Sequence, residues 1–334
     1  MLLAKNVVGN QQDWAQYITI ADGHNTPLLN QIPVGSKPVN ILHQYQADAY
    51  KDPTPVAWPD GKDWDAFESA GKYRGELKAR AQEVVLTASV SRKTQDITDA
   101  AGVADEMARE IKKKLVETSR TIEAALCSDQ VCYEDNGVTG DQTRGIGEWI
   151  KATAQTLYPV PSAFLTPSAS IFAGTKAQLV EDEVIAVLES QYLQTGNTND
   201  TRILLCGSKL KKRFKDFQLY VPSSLSTGNT VRELSLENNR LGNSIDYYDS
   251  EFGNLELHLS KWLAHANFTG GSATISTWRG YVMNMGMWEL RWNQKPLVHK
   301  LEFKGGSYNA AINSIFMLVC KSPLGEGKIA PSDA

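Results

Sequence analysis

One long helical stripe constrains the fold of this chain more than any other feature. Between residues 103 and 127, apolar side chains recur at steps of three and four residues, the spacing of a single helix face. No glycine or proline interrupts the segment after Gly102. About 25 residues at 1.5 Å each predict a rod of about 37 Å. We predict that it packs against terminal strands containing Ile315, Met317 or Val319. Its buried stripe is predicted to contain Met107, Ile111, Leu115 and Ile122.

Size and composition predict a globular protein with more than one lobe. The chain has 334 residues, which exceeds the size at which a single core usually stops growing. Hydrophobic residues make up 42% and charged residues 22%, a balance typical of folded, soluble proteins. No apolar run approaches the roughly 20 residues that cross a bilayer, so we expect no membrane partner.

The charge balance argues against a protein that grips nucleic acid tightly. Net charge is −4 and the pI is about 5.8, whereas tight phosphate binding usually needs an excess of Lys and Arg. Basic residues cluster at 112–114 and 209–213. Such runs on amphipathic helices are usually solvated faces. The functional alternative is weak electrostatic contact with DNA.

No catalytic, cofactor-binding or metal-binding residue is predicted. The five histidines are scattered, and none has a second ligand at metal-binding spacing. The segment 207–209 follows a predicted strand, but Arg202 stands where a phosphate loop needs its first glycine, so Ser208 is interpreted as a helix N-cap. The four cysteines are too few and too scattered for a disulfide scaffold, and they are interpreted as small apolar side chains in a reducing compartment; they are Cys127, Cys132, Cys206 and Cys320.

Two β-prone runs predict a long two-stranded hairpin. Residues 38–50 nearly alternate in polarity, and a second run covers 83–90. The Pro-, Gly- and Asp-rich segment between them predicts an irregular tip. An isolated ribbon is marginal in water and needs a surface to lie on. The aromatic tip residues Trp58, Trp64 and Phe67 are interpreted either as a contact with a neighbouring subunit or as a mini-core on their own subunit.

The first 36 residues predict an extended arm. They carry little periodicity, and Pro27 and Pro33 interrupt any helix. A segment of this length without a core of its own is either disordered or laid on a neighbour. The apolar side chains of Leu28, Leu29 and Ile32 favour the arm that contacts a neighbour.

The rest of the chain predicts a mixed lobe followed by strands. We expect a helix over 176–194 with Gly196 as its C-cap, a strand over 202–206, a helix over 209–217 and a hairpin over 245–259. From residue 273 onward the pattern is mostly β. The fold class is therefore α+β, without a regular βαβ alternation.

This order of elements resembles the tailed-phage major capsid proteins of the Hong Kong 97 type, and in particular their SU-ten branch. The resemblance covers nearly the whole chain, and it depends on the order and spacing of several motifs together. Those motifs lie at 25–28, 45–48, 80–83, 90–91, 109–123, 144–150, 180–183 and 249–255.

The resemblance implies a division of the chain into five parts. Residues 1–36 would be the N-terminal arm, and 37–95 the extended hairpin called the E-loop with its flanks. Residues 96–150 would be the peripheral domain (P-domain) with its spine helix, and 151–276 the mixed α/β axial domain (A-domain). Residues 277–334 would return as β-strands to the peripheral domain and form the C-terminus. The turn over 90–95 is longer than is usual in the family.

The resemblance also implies a structural function without an enzymatic activity. Hexamers and pentamers of the chain would form the icosahedral head of a tailed phage around double-stranded DNA, which they would touch only weakly and non-specifically. No long scaffolding segment precedes the arm, so any scaffolding is expected to be a separate protein. Portal and decoration proteins are candidate further partners. The protein would reside in the virion after assembly in the host bacterial cytoplasm. Two alternatives remain: an encapsulin-like compartment, or a soluble enzyme with an unrecognised site.

Overall fold

The computed structural model describes residues 25–50, 53, 57–63, 74–96, 105–196, 201–217, 246–263 and 276–332. Within the helices and strands, the side chains of residues 201 and 215 are not described. Trp64 and Phe67 therefore lie outside the described residues. In the described part of the chain, no helix combines the length and the apolar character needed to cross a bilayer.

The first half of the chain supplies an arm, a ribbon and the long helix. After the ribbon, the chain runs through a long strand directly into a short helix. In chain order the elements are α1 (Pro27–Gln31), β1 (Leu42–Ala47), β2 (Gly75–Arg80), β3 (Gln82–Ser91), α2 (Arg92–Asp96), α3 (Glu106–Leu126) and α4 (Ile146–Trp149).

The second half supplies a mixed lobe and two long strands. Single 3-10 turns occur at 162–164, 168–170, 285–287 and 323–325. The elements are β4 (Ile171–Phe172), α5 (Glu181–Thr195), β5 (Thr201–Cys206), α6 (Ser208–Phe217), β6 (Tyr247–Ser250), β7 (Gly253–Leu259), β8 (Gly280–Met283), β9 (Trp288–Lys304), β10 (Ser307–Cys320) and β11 (Gly327–Ile329).

Helix α3 confirms the predicted long helix, with local signals at its start. The Asp105 side chain accepts the Ala108 backbone N–H at 2.9 Å, as an N-cap does. Arg109 pairs with Glu106, and Lys114 with Glu117, three residues apart on the solvated side. The helix packs on β3 and β10, which agrees with the predicted contact with the terminal strands.

The strand pairing of the ribbon corrects one prediction. β1 pairs antiparallel with β2, from Leu42↔Arg80 to Ala47↔Gly75. The run at 83–90, predicted as the second ribbon strand, belongs to β3, which pairs with β10 instead. β2 was missed because charged side chains alternate with Leu77 and Ala79, so its apolar content is low. The long β3 finds its partner more than 200 residues later, which no local pattern reveals.

Two sheets organise the described residues beyond this ribbon. A three-stranded sheet has the order β3-β10-β9, and a six-stranded sheet has the order β4-β11-β8-β5-β7-β6. The strands β8 and β11 lie in the six-stranded sheet, although residues 277–334 were expected to return to the peripheral domain.

Helix α5 begins at Glu181, later than predicted, and its C-cap is Gly196 in the left-handed conformation (φ 66°).

Two hydrophobic cores hold these layers together. One lies around α3, α4 and the three-stranded sheet, and includes Trp149 and Trp288, both almost fully buried. The other lies between the six-stranded sheet and helices α5 and α6, with Leu210 and Phe214 fully buried.

Candidate assembly surfaces

The arm residues are held by the long helix of their own subunit. The two carboxylate oxygens of Glu123 accept the backbone N–H groups of Leu28 and Leu29, both at 2.9 Å. These are first-turn amides of α1, which have no partner inside the helix. Burial raises the pKa of Glu123 to about 7, although both hydrogen bonds act in the opposite direction. A second tie joins the Trp262 indole N–H to the Asn25 carbonyl at 2.8 Å.

The burial of the arm side chains decides which of them can still contact a neighbouring subunit. Leu28 is 1% exposed and Ile32 is 4% exposed, both within the core of the subunit itself. Leu29 is half-buried against the same core. In this conformation Leu28 and Ile32 act inside the subunit, and only Leu29 of the three still offers surface to another copy.

The described part of the ribbon tip presents one large aromatic side chain. Trp58 is 49% exposed. Its indole N–H donates to the Lys62 carbonyl at 3.0 Å, and the Lys62 ammonium lies 5.2 Å from the ring centroid. These contacts give Trp58 a fixed local setting but leave half of its surface to solvent.

The predicted stripe of α3 divides at mid-helix. Ile122 is fully buried, together with the last turns of the helix. Met107, Ile111 and Leu115 are only half-buried in the subunit. The first half of the helix therefore keeps apolar surface that a neighbouring copy could cover.

One face of the three-stranded sheet lies opposite the long helix and carries exposed apolar side chains. Val85, Asn313 and Leu297 form one row across the three strands. Val85 is 49% exposed and Leu297 50% exposed. Leu301, 52% exposed, pairs with Asn309 further along the same face. Apolar side chains on an open sheet face are a common sign of a contact surface.

A partly buried ionic cluster joins the segment after α3 to the six-stranded sheet. Asp129 forms ion pairs with Arg279 and with Lys328, the latter at 2.8 Å. The Lys328 ammonium also donates to the Gly147 carbonyl at 3.1 Å. Sequence reasoning missed this cluster because the three charged residues are far apart in the chain and share no motif.

The motif at 144–150 has a structural explanation. Arg144 is 2% exposed and stacks over the Trp149 ring at 4.3 Å. Its guanidinium donates to the carbonyls of Leu157 and Tyr158 at 2.9 and 2.8 Å. Burial lowers the pKa of Arg144. The motif thus anchors the loop that follows α4.

The described residues offer little reactive chemistry. They contain no group of three His, Cys, Asp or Glu side chains arranged to hold a metal ion. The four cysteines are free and buried, which agrees with their interpretation as small apolar side chains. His258 lies in a half-buried setting near Gln31 and 2.9 Å from Glu256, in contact with the end of the arm helix.

A family model and several solved structures match nearly the whole length of this chain. A family model described as SU10 major capsid protein matches residues 3–330. No curated protein sequence matches the chain. Among solved structures, the capsid of the cyanophage P-SCSP1u matches with a TM-score of 0.62 and 8% identity, over 97% of this chain and 94% of that one.

Further solved structures are similar to this chain at the same level. Mycobacterium phage Bobi gives a TM-score of 0.60 and 8% identity, over 97% of this chain and 96% of the other. The capsid of the Myoviridae phage XM1 gives 0.54 and 12% identity, over 99% of both chains. At these identities the likeness shows the fold, which is the α+β capsid fold of the Hong Kong 97 type.

The fold and the family model point to the same function. The chain belongs to the SU10 major capsid protein family and is a structural, non-enzymatic subunit of a tailed-phage capsid.

Proposed function

We propose that this subunit forms hexamers and pentamers that close into an icosahedral head around double-stranded DNA. The family supports self-assembly into a multimeric shell and a place in the virion. The observation that carries the finer proposal is the exposed apolar surface on projecting elements. Trp58 on the ribbon, and Leu297 and Leu301 on the long strands, are each about half exposed. Such surface is costly unless other copies cover it.

Contact with the DNA is proposed to be weak and non-specific. The chain carries a net charge of −4, which disfavours tight phosphate binding. In the first basic cluster, Lys112 and Lys113 are exposed, and Lys113 lies 4.0 Å from Glu117. In the second, Lys209 and Lys212 are exposed, and Lys211 pairs with Asp246 at 3.0 Å. Both clusters therefore retain exposed lysines for such contact.

Further partners and the place of assembly complete the proposal. Separate scaffolding, portal and decoration proteins would accompany the subunit, and assembly would take place in the cytoplasm of the bacterial host. The resemblance to tailed-phage capsids supports both inferences, since such a head needs an entry for DNA and is built inside its host.

Negative-stain microscopy with a measured ratio of nucleic acid to protein tests the proposed function. We expect closed, isometric particles of this chain, and expect those from infected cells to contain DNA. Particles that never contain DNA but hold enzyme cargo would favour the encapsulin-like alternative. A small discrete oligomer that turns over a substrate would overturn the capsid function.

A further inference from the structure

An acidic recess lies where the ribbon joins the three-stranded sheet. We define the acidic recess by Ile41, Glu83, Val85, Asp135, Asp141 and Ile315, which line a cavity of about 390 Å³. This volume is in the range of small binding sites, about 300–1,000 Å³. Ile41 and Val85 are each 49% exposed, so the recess has an apolar floor that is open to solvent.

The rim of the recess carries an excess of negative charge. Arg80 neutralises part of it, because it pairs with Asp141 at 2.7 Å and with Glu134 at 3.1 Å. Glu83 accepts only a neutral hydrogen bond, from the Asn313 amide at 2.6 Å. Within the described part of the chain, no lysine or arginine lies within ion-pair distance of Glu83 or Asp135. The recess therefore favours an apolar group flanked by cations.

The far end of the same sheet carries such groups. We define the basic tip as residues 300–304 of β9, which contain two lysines and a single acid, Glu302. Lys300 and Lys304 are exposed, and the described residues place no acidic side chain in an ion pair with them. Leu301 and Phe303, each 52% exposed, alternate with these lysines along the strand and point to its other face.

The basic tip is held in a defined shape. Lys304 pairs with Ser307 across a two-residue turn, in which Gly305 and Gly306 have φ values of 65° and 76°. Positive φ at both central positions is typical of the tight hairpin turn that matches strand twist. The Arg92 backbone N–H donates to the Gly306 carbonyl at 3.0 Å. A pre-shaped tip loses little conformational entropy on binding.

One subunit cannot bring its own tip to its own recess. Asn309, which pairs with Leu301, is six residues along β10 from Ile315 in the recess. Six residues of strand span about 20 Å. The two complementary surfaces are fixed to opposite ends of one sheet, so they can meet only between two copies.

From this geometry we propose that the basic tip of one copy binds the acidic recess of the next copy. The contact joins two different patches and is therefore heterologous, the type that generates closed rings or extended arrays of subunits. It rests on the proposed self-assembly and names the surfaces through which part of that assembly takes place. The exposed leucine and phenylalanine favour a protein surface over a DNA backbone, which offers no matching apolar site.

Charge-swap rescue tests this pairing in the full chain. One variant carries Lys300→Glu and Lys304→Glu, a second carries Glu83→Lys and Asp135→Lys, and a third combines all four. Each reversal alone is expected to lower the yield of closed particles about tenfold or more, since like charges facing each other across an interface cost several kcal/mol. The combined variant should regain most of the wild-type yield. Circular dichroism and thermal unfolding of the subunits check that all variants fold.

Matched controls separate this proposal from its rivals. Lys37→Glu with Lys261→Glu makes the same charge change at two exposed lysines outside the tip, the recess and α3, and should leave particle yield unchanged. The pairing is overturned if the variant with all four substitutions gives no higher particle yield than the lower-yielding of the two double variants. It is also overturned if neither double variant changes the yield. Loss of packaged DNA from normally assembled tip variants would instead assign the tip to DNA. Failure of the wild-type chain to form any particle would count against the proposed function and not against the pairing alone.

Discussion

At the scale of single residues, Glu123 links two distant parts of the chain. Its carboxylate is fully buried and holds the first amides of α1, so a residue of the long helix acts as the cap of the arm helix. No local pattern around position 28 predicts this, because the two partners are 95 residues apart in the chain. The same carboxylate introduces a pH dependence.

We expect subunit stability to fall as the pH rises from about 4.5 to about 7 through the titration of Glu123. Burial raises its folded-state pKa from 4.5 to about 7, so the folded state binds the proton more tightly than the unfolded state in this window. The contribution is fully present below the unfolded pKa and is lost as the pH passes the folded pKa. A shift of this size corresponds to about 3 kcal/mol.

Urea unfolding of unassembled subunits at pH 4.5 and pH 8 measures this dependence. Glu326 contributes in the same direction, since burial raises its pKa to about 8, so wild type must be compared with Glu123→Gln. The difference in the free energy of unfolding between these two proteins should change with pH by about 3 kcal/mol. An identical difference at both pH values would show that Glu123 does not titrate in this range.

At the scale of elements, the long helix separates subunit stability from assembly. Its last turns are buried in the subunit, whereas Met107, Ile111 and Leu115 are only half-buried. If neighbouring copies cover the first half, substitutions in the two halves must have different consequences.

Ile122→Ala should destabilise the isolated subunit by about 2–4 kcal/mol, because a fully buried side chain leaves a cavity. Leu115→Ala removes a half-buried side chain and should cost less than half of that, yet it should lower particle yield at equal subunit stability. Chemical denaturation and quantitative microscopy distinguish the two effects. Equal loss of stability in both variants would mean that the stripe is one continuous internal face.

Helices were more predictable from this sequence than strand pairing. The start of α3 depends on Asp105 and on the absence of breakers, and the end of α5 depends on Gly196, which are all local signals. The sequence alone does not show which of several distant strands pairs with β1. The charged composition of β2 made it a weak candidate for that partner. The Asp129 cluster and the Glu123 contact were not predictable for the same reason, since only the folded chain brings their members together.

At the scale of the whole molecule, the subunit is built to be completed by other copies. Among the described residues, the two ribbon strands pair with each other and belong to neither larger sheet. Two strands alone are marginal in water. Stability measured on isolated subunits should therefore underestimate that of the shell, because binding between folded copies favours the folded state by mass action.

Removal of the ribbon tip tests this dependence on neighbouring copies. Ala47 and Gly75 are paired at the end of the ribbon, so deletion of residues 53–73 leaves a short loop that can still close the hairpin. The deletion removes the exposed Trp58, together with Trp64 and Phe67. We expect a folded subunit with nearly unchanged unfolding that fails to form stable shells. A second variant, in which a Gly/Ser segment of equal length replaces 53–73, should fail in the same way if side-chain contacts matter. Particles of normal thermal stability from the Gly/Ser variant would show that the tip contributes only length, and the assignment of Trp58 as an assembly contact would be wrong.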